Sequence, residues 1–103
     1  MTGKHKIGEP LHGGIIIANN LIASLRTRKA SWEDAMDSPP GWRLPTQEEL
    51  HILYEAVPNT TGFYWSSTEY NARDAWAQSF DDGWQGFYDK GYIYSARAVR
   101  SFE

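Results

Sequence analysis

Side chains able to do chemistry are few in this chain, and they are scattered. His5, His12 and His51 are the only histidines, two of them close to the start, so no set stands at metal-ligand spacing and exposed or capping roles are expected. Ser66, Ser67, His51 and Asp74 supply the residue types of a serine triad, yet neither serine sits in the Gly-x-Ser-x-Gly turn that strains and exposes such a nucleophile. Cysteine is absent, which excludes disulfides, thiolate metal sites and thiol nucleophiles. Asp81, Asp82 and Asp89 carry the oxygens that calcium takes, but they form no recognisable calcium loop, so capping of turns is the expected role. Arg26 to Lys29 is basic but too short to read as more than a solvated strand end. Asn59-Thr60-Thr61 matches the glycosylation sequon, a three-residue pattern that arises by chance. No catalytic pair emerges, and the expectation is a protein that is not an enzyme and uses no cofactor or metal.

The rings are the concentrated feature. Aromatic residues make up 15% of the chain, and Phe63, Tyr64, Trp65, Tyr70, Trp76, Phe80, Trp84, Phe87, Tyr88, Tyr92 and Tyr94 crowd one stretch. A domain this small cannot bury them all, and exposed Trp and Tyr offer broad contact area at low entropy cost. A recognition surface is therefore expected there. Trp65 and Trp76 are expected to be buried, and Trp84, next to a tight turn, to be exposed.

The elements that must position these rings can be read from turn and cap signals. Residues 13–25 read as a hairpin turning at Asn19-Asn20, since asparagine tolerates positive φ. Ser31 is placed to cap a helix carrying Trp32, Ala35 and Met36 on one face, which Pro39-Pro40-Gly41 stops. A second helix has Thr46 as its cap, Glu49 closing the capping box, Leu50, Leu53, Tyr54 and Val57 as its apolar face, and Pro58 at its end. Beyond residue 62 come short strands: Asp82-Gly83 turns one hairpin and Lys90-Gly91 a second, predicting an antiparallel meander that runs on through Val99. The order of strands, helices and strands predicts an α+β fold, and 103 residues make a single domain, 1–103.

Charge and hydropathy narrow the partners. The net charge is −3; Lys4, Lys6, Arg26, Arg28 and Lys29 oppose Glu9 alone in the first 30 residues, so the acidic excess lies in the later, ring-rich part. No nucleic acid partner is expected. No apolar run approaches the roughly 20 residues that span a bilayer, and the opening residues lack a secretory signal's apolar stretch, so no membrane association and a soluble, intracellular product are expected.

Several phrases occur in one order: Ile7-Gly8-Glu9, Gly13-Gly14-Ile15, Trp32 to Ala35, Gly41 to Thr46 with Glu49-Leu50, Tyr64 to Tyr70, Ala75-Trp76, Phe80 with Asp82-Gly83, and Arg97 to Arg100. Together they resemble the collagen-like-adhesin C-terminal domain family, a bacterial and phage branch of the C-type lectin-like fold that also includes formylglycine-generating enzymes and the variable proteins of diversity-generating retroelements. The resemblance implies a compact C-type lectin-like fold, with Trp42, Arg43, Leu44, Trp65, Ser66, Ser67, Glu69, Ala75, Trp76, Phe80, Gly83, Arg97, Val99 and Arg100 as scaffold. It also implies a ligand face made of Gln78, Asp82, Trp84, Gln85, Phe87, Tyr88, Asp89, Tyr92 and Tyr94. Formylglycine-type oxidation needs cysteines that this chain lacks. The function expected is a non-enzymatic binding module, encoded by a phage or prophage, that takes a host protein or glycan. The alternative is an intracellular phage accessory protein that binds and inhibits a host enzyme or defence protein. Either is expected to be made in the host cytoplasm, and the binding module can also be virion-associated.

Overall fold

A computed structural model describes residues 6–57 and 60–102. The expectations placed on Lys4, His5, Pro58 and Asn59 lie outside those residues. Two sheets organise the rest. The first joins β1 (Pro10–Leu11), β2 (Gly14–Ala18), β3 (Leu21–Ser24) and β9 (Val99–Ser101), in the order β1-β2-β3-β9 and antiparallel throughout. Its β2–β3 hairpin turns at Asn19-Asn20, where the sequence places it, although neither asparagine takes the positive φ on which that reading rests. A register shift between Ile16 and Ala18 accompanies the burial of two consecutive residues, Ile16 and Ile17, a departure from strict alternation that a bulge permits. Gly14 is required where it stands, because a Cβ there would run into the Ala23 carbonyl and lie 3.2 Å from the Trp42 ring.

The second sheet holds β4 (Arg28–Ala30), β5 (Phe63–Glu69), β6 (Asp74–Ser79), β7 (Gln85–Asp89) and β8 (Tyr94–Ala96), in the order β4-β8-β5-β6-β7. The meander expected after residue 62 is thus only β5-β6-β7. After the Lys90-Gly91 turn the chain crosses to the far side of β5, where β8 pairs parallel to β5 at Tyr64 and Ser95 and antiparallel to β4. The predicted run from Tyr92 to Val99 breaks in two, and its end, β9, belongs to the first sheet. Side-chain size accounts for this. Ser95 and Ala96 are small enough to be buried between β4 and β5, and Tyr94 reaches Phe63 and Trp65 of β5, contacts that an outer position beside β7 would not give it.

Helix α1 (Trp32–Ala35) is a single turn, shorter than expected, and Ser31 makes no side-chain cap. Its end is closed by the Arg28 guanidinium, which donates to the carbonyls of Asp34 at 2.7 Å and Asp37 at 2.8 Å. Trp32 and Ala35 are buried, but Met36 is exposed. Helix α2 (Gln47–Ala56) carries the full capping box: Glu49 N–H donates to Thr46 Oγ1, and Thr46 N–H donates to the Glu49 carboxylate. Arg43 grips that carboxylate with both terminal nitrogens, a two-point contact, the Nη2 to Oε2 distance being 2.7 Å.

The architecture is α+β, with two helices on mostly antiparallel sheets. The alternation of β5 divides its core: Tyr64 points one way and Trp65 the other. On the Tyr64 side, Ile17, Leu21, Ala23, Leu50, Leu53, Phe80 and Val99 fill the space among the first sheet, α2 and the second sheet. On the Trp65 side, Trp32, Ala35, Leu44, Ala75, Ala77 and Ala96 pack under α1. Both buried indoles satisfy their N–H groups, Trp65 on the Ala30 carbonyl at 3.1 Å and Trp32 on the Ser66 carbonyl at 2.8 Å. Among the described residues no helix is long and apolar enough to cross a membrane.

Candidate binding surface

Strand β7 decides where the rings go, because successive side chains on a strand leave opposite faces. Trp84, Gly86 and Tyr88 share one face. A Cβ at Gly86 would lie 3.1 Å from both the Trp84 indole nitrogen and the Tyr88 hydroxyl, so the missing side chain lets these two rings close over the backbone. Tyr88 meets Phe63 edge-on at 5.2 Å, Tyr94 stacks on Phe63 at 5.0 Å, and Tyr92 meets Tyr94 at 5.8 Å. Beneath them Trp65, fully buried, touches Tyr94 at 4.9 Å. Trp84 and Tyr92 rise from this base at 63% and 53% exposure. Burial, and then the neighbouring Tyr88 and Tyr92, push the Tyr94 hydroxyl above its ordinary range, so it remains a protonated donor at neutral pH.

Phe87 leaves the opposite face, and that corrects the single ring surface drawn from the sequence. It stacks flat on Tyr70, centroids 3.8 Å apart and planes 4° from parallel, with Trp76 edge-on at 5.7 Å. Trp76 is therefore half-buried on this second cluster and is not core, as its pairing opposite Phe87 in the β6–β7 register requires. Tyr70 was missed as a site candidate. The available signal was Asn71, whose Oδ1 accepts from the N–H groups of Arg73 and Asp74 and turns the chain so that Tyr70 comes over β7.

Gln78, expected on the ligand face, is fully buried. Its Nε2 donates to the Gly83 carbonyl at 3.1 Å and lies 3.0 Å from His51 Nδ1, while its Oε1 accepts from Gln85 Nε2 at 3.1 Å. Gln85 in turn donates to the Gln47 carbonyl and accepts from the Gln47 amide, which pins β7 to the start of α2. These two glutamines hold the turn before Trp84 and do not offer free polar groups. The three aspartates weighed for calcium each accept a backbone N–H within a turn or loop: Asp81 from Gly62, Asp82 from Trp84 and Asp89 from Gly91. Among the described residues no cluster of three or more histidine, aspartate or glutamate side chains has metal-binding geometry. Ser66 is buried, its hydroxyl donating to the Trp76 carbonyl and accepting from Thr68 N–H.

The family model of the Lcl C-terminal domain matches residues 17–100. The chain belongs to this family. The match takes in both helices and every ring described above, and only β1 and the first residues of β2 precede it. Within this Lcl C-terminal domain, the scaffold residues Leu44, Trp65, Ser66, Ala75, Phe80 and Val99 are buried, and Arg43 and Val99 pair across a bridge that ties the lead-in of α2 to the first sheet. None of the curated proteins matches the chain.

Proposed function

We propose that this Lcl C-terminal domain is a non-enzymatic, adhesin-like binding module that grips a protein or glycan on the platform of Trp84, Tyr88, Tyr92 and Tyr94. The observation that carries the reading is the pairing of two exposed rings, Trp84 and Tyr92, with a base of interlocked, half-buried ones on a continuous sheet. Rigid aromatic anchors lose little entropy when a partner covers them, and hydroxyls at the rim supply direction. A stacked ring floor suits the apolar face of a sugar as well as a peptide side chain. A C-type lectin-like ancestry and an origin in a phage or prophage, with synthesis in the host cytoplasm, belong to the same reading; detection of the chain in purified phage particles would support that origin, and a purely chromosomal gene without phage neighbours would count against it.

The test compares the protein with Trp84→Ala and Tyr92→Ala on a glycan array and in capture from bacterial lysate. Each change is expected to weaken the selected partner by about 2 kcal/mol, roughly 30-fold in Kd, with the melting temperature kept. Binding that survives both substitutions, or that is lost instead on changing Lys6 or Arg26, refutes the platform.

A further inference from the structure

The second sheet has two edges, and they are guarded differently. β4 is three residues long with Arg28 and Lys29 exposed, a short and charged edge of the kind that resists further pairing. β7 is five residues long, has neither proline nor a basic residue, and carries its one charge, Asp89, at its end. Ser79 N–H donates to the Trp84 carbonyl and Lys90 N–H to the Arg73 carbonyl, so the even-numbered residues of β7 bond inward to β6. The main-chain groups of Gln85, Phe87 and Asp89 consequently point away from the sheet. Among the described residues, nothing engages those of Gln85 or Phe87 on that side, while the Asp89 carbonyl accepts from Tyr92 N–H.

We propose that β7 pairs antiparallel with β7 of a second copy of this chain, about a two-fold axis at Phe87, joining the two five-stranded sheets edge to edge. Centring on Phe87 sets Phe87 opposite itself and Gln85 opposite Asp89 of the second copy, so the Phe87 residues exchange two bonds and each Asp89 N–H donates to a Gln85 carbonyl, about four hydrogen bonds in all, the Asp89 carbonyls being already held by Tyr92 N–H. Centring on Gly86 leaves Asp89 without an opposite strand residue. The Phe87 register also avoids like charges and collisions: the Asp89 carboxylate stands opposite the neutral Gln85 rather than its own kind, and Tyr88 stands opposite Gly86, which has no side chain to collide with it. The stacked Phe87 and Tyr70 rings, 46% and 50% exposed in the monomer, become one apolar strip across the axis. An isologous contact of this kind closes on itself and stops at two copies.

Sedimentation velocity over a concentration series, joined to amide hydrogen exchange, tests the pairing on the whole chain. The expected result is a monomer that becomes a dimer as concentration rises, with exchange at Phe87 N–H slowing about tenfold while Tyr88 N–H, already bonded to β6, is unchanged. Phe87→Lys, which sets two ammonium groups across the axis, is expected to stay monomeric. Phe87→Pro removes the outward N–H together with the ring stacked on Tyr70 but breaks no bond to β6, and is the second variant should the first not fold. A monomer at every concentration, a dimer that persists in Phe87→Lys, or a dimer that leaves Phe87 N–H unprotected overturns the proposal; protection of Phe87 only in the presence of an added extended peptide would assign the edge to that peptide instead.

Discussion

Gln78→Ala separates a structural role from a binding one at a residue whose type suggests the latter. The buried amide makes three hydrogen bonds, to the Gly83 carbonyl, to His51 and from Gln85. Each contributes about 1 kcal/mol net, and a buried partner left without one costs more. Solvent replaces one of them, since the His51 side chain is 49% exposed. Gln85 keeps its bond to the Gln47 carbonyl. The Gly83 carbonyl is the group that loses most, and the truncation leaves a void beside it. Together these place the loss at about 2–3 kcal/mol, which for a domain of this length lowers the melting temperature by roughly 10 °C or more. Urea unfolding followed by far-ultraviolet circular dichroism measures it, with the slope against urea unchanged if the folded state is otherwise intact. The Trp84 turn should loosen with it, so partner affinity falls only as far as the turn's order falls. A loss under about 0.5 kcal/mol, within the usual range for surface substitutions, combined with a large loss of binding would refute the assignment and return Gln78 to the ligand.

Three tryptophans should rank by depth: Trp65→Ala costs about 3–5 kcal/mol, Trp76→Ala clearly less, and Trp84→Ala almost nothing, a ranking that denaturant titration checks and that equal losses at Trp65 and Trp76 would break. The Arg43 contact, ahead of the Thr46 backbone contact, holds the Glu49 carboxyl below its ordinary range against the opposing pull of burial. Its contribution is therefore fully present above the unfolded glutamate value of about 4.3 and disappears as pH falls through the lower folded value; Glu49→Gln should flatten that acid limb of the stability curve, and an unchanged limb would show that other carboxylates set it.

Local rules served well wherever one short segment fixed its own geometry. Thr46 and Glu49 announced their capping box and Asn19-Asn20 the place of its hairpin, because each depends on contacts within a few residues; Asp82-Gly83 marked the β6–β7 connection, but its loop takes in Phe80 and Asp81 as well, closed by the Ser79 N–H to Trp84 carbonyl bond. What local rules could not show was the partner of a strand. The segment around Tyr94 has the same residues whether it lies beside β7 or is inserted between β4 and β5, and only the distant Arg28 to Ala30 and Phe63 to Trp65 decide between these. The ring surface failed for a related reason. Phe87 and Tyr88 are neighbours in the chain and opposites in space, a consequence of strand period that grouping by composition ignores. Gln78 was placed on the ligand face by the family resemblance, whereas His51 and Gln85, contributed by other elements, satisfy it inside.

The insertion of β8 between β4 and β5 also sets a schedule. Strand β4 leaves the ribosome some 60 residues ahead of its ladder partner, residues 94–96, and β3 waits longer still for Val99–Ser101. Neither sheet can close until β8 and β9 have left the ribosome, so β4 and one edge of β3 must wait unpaired while the segments between are made. Such distant closures make for folding in milliseconds to seconds rather than microseconds. Both sheets then lock together, and the ring platform comes into being at that same late moment, since Tyr92 and Tyr94 arrive with the strand that completes the fold.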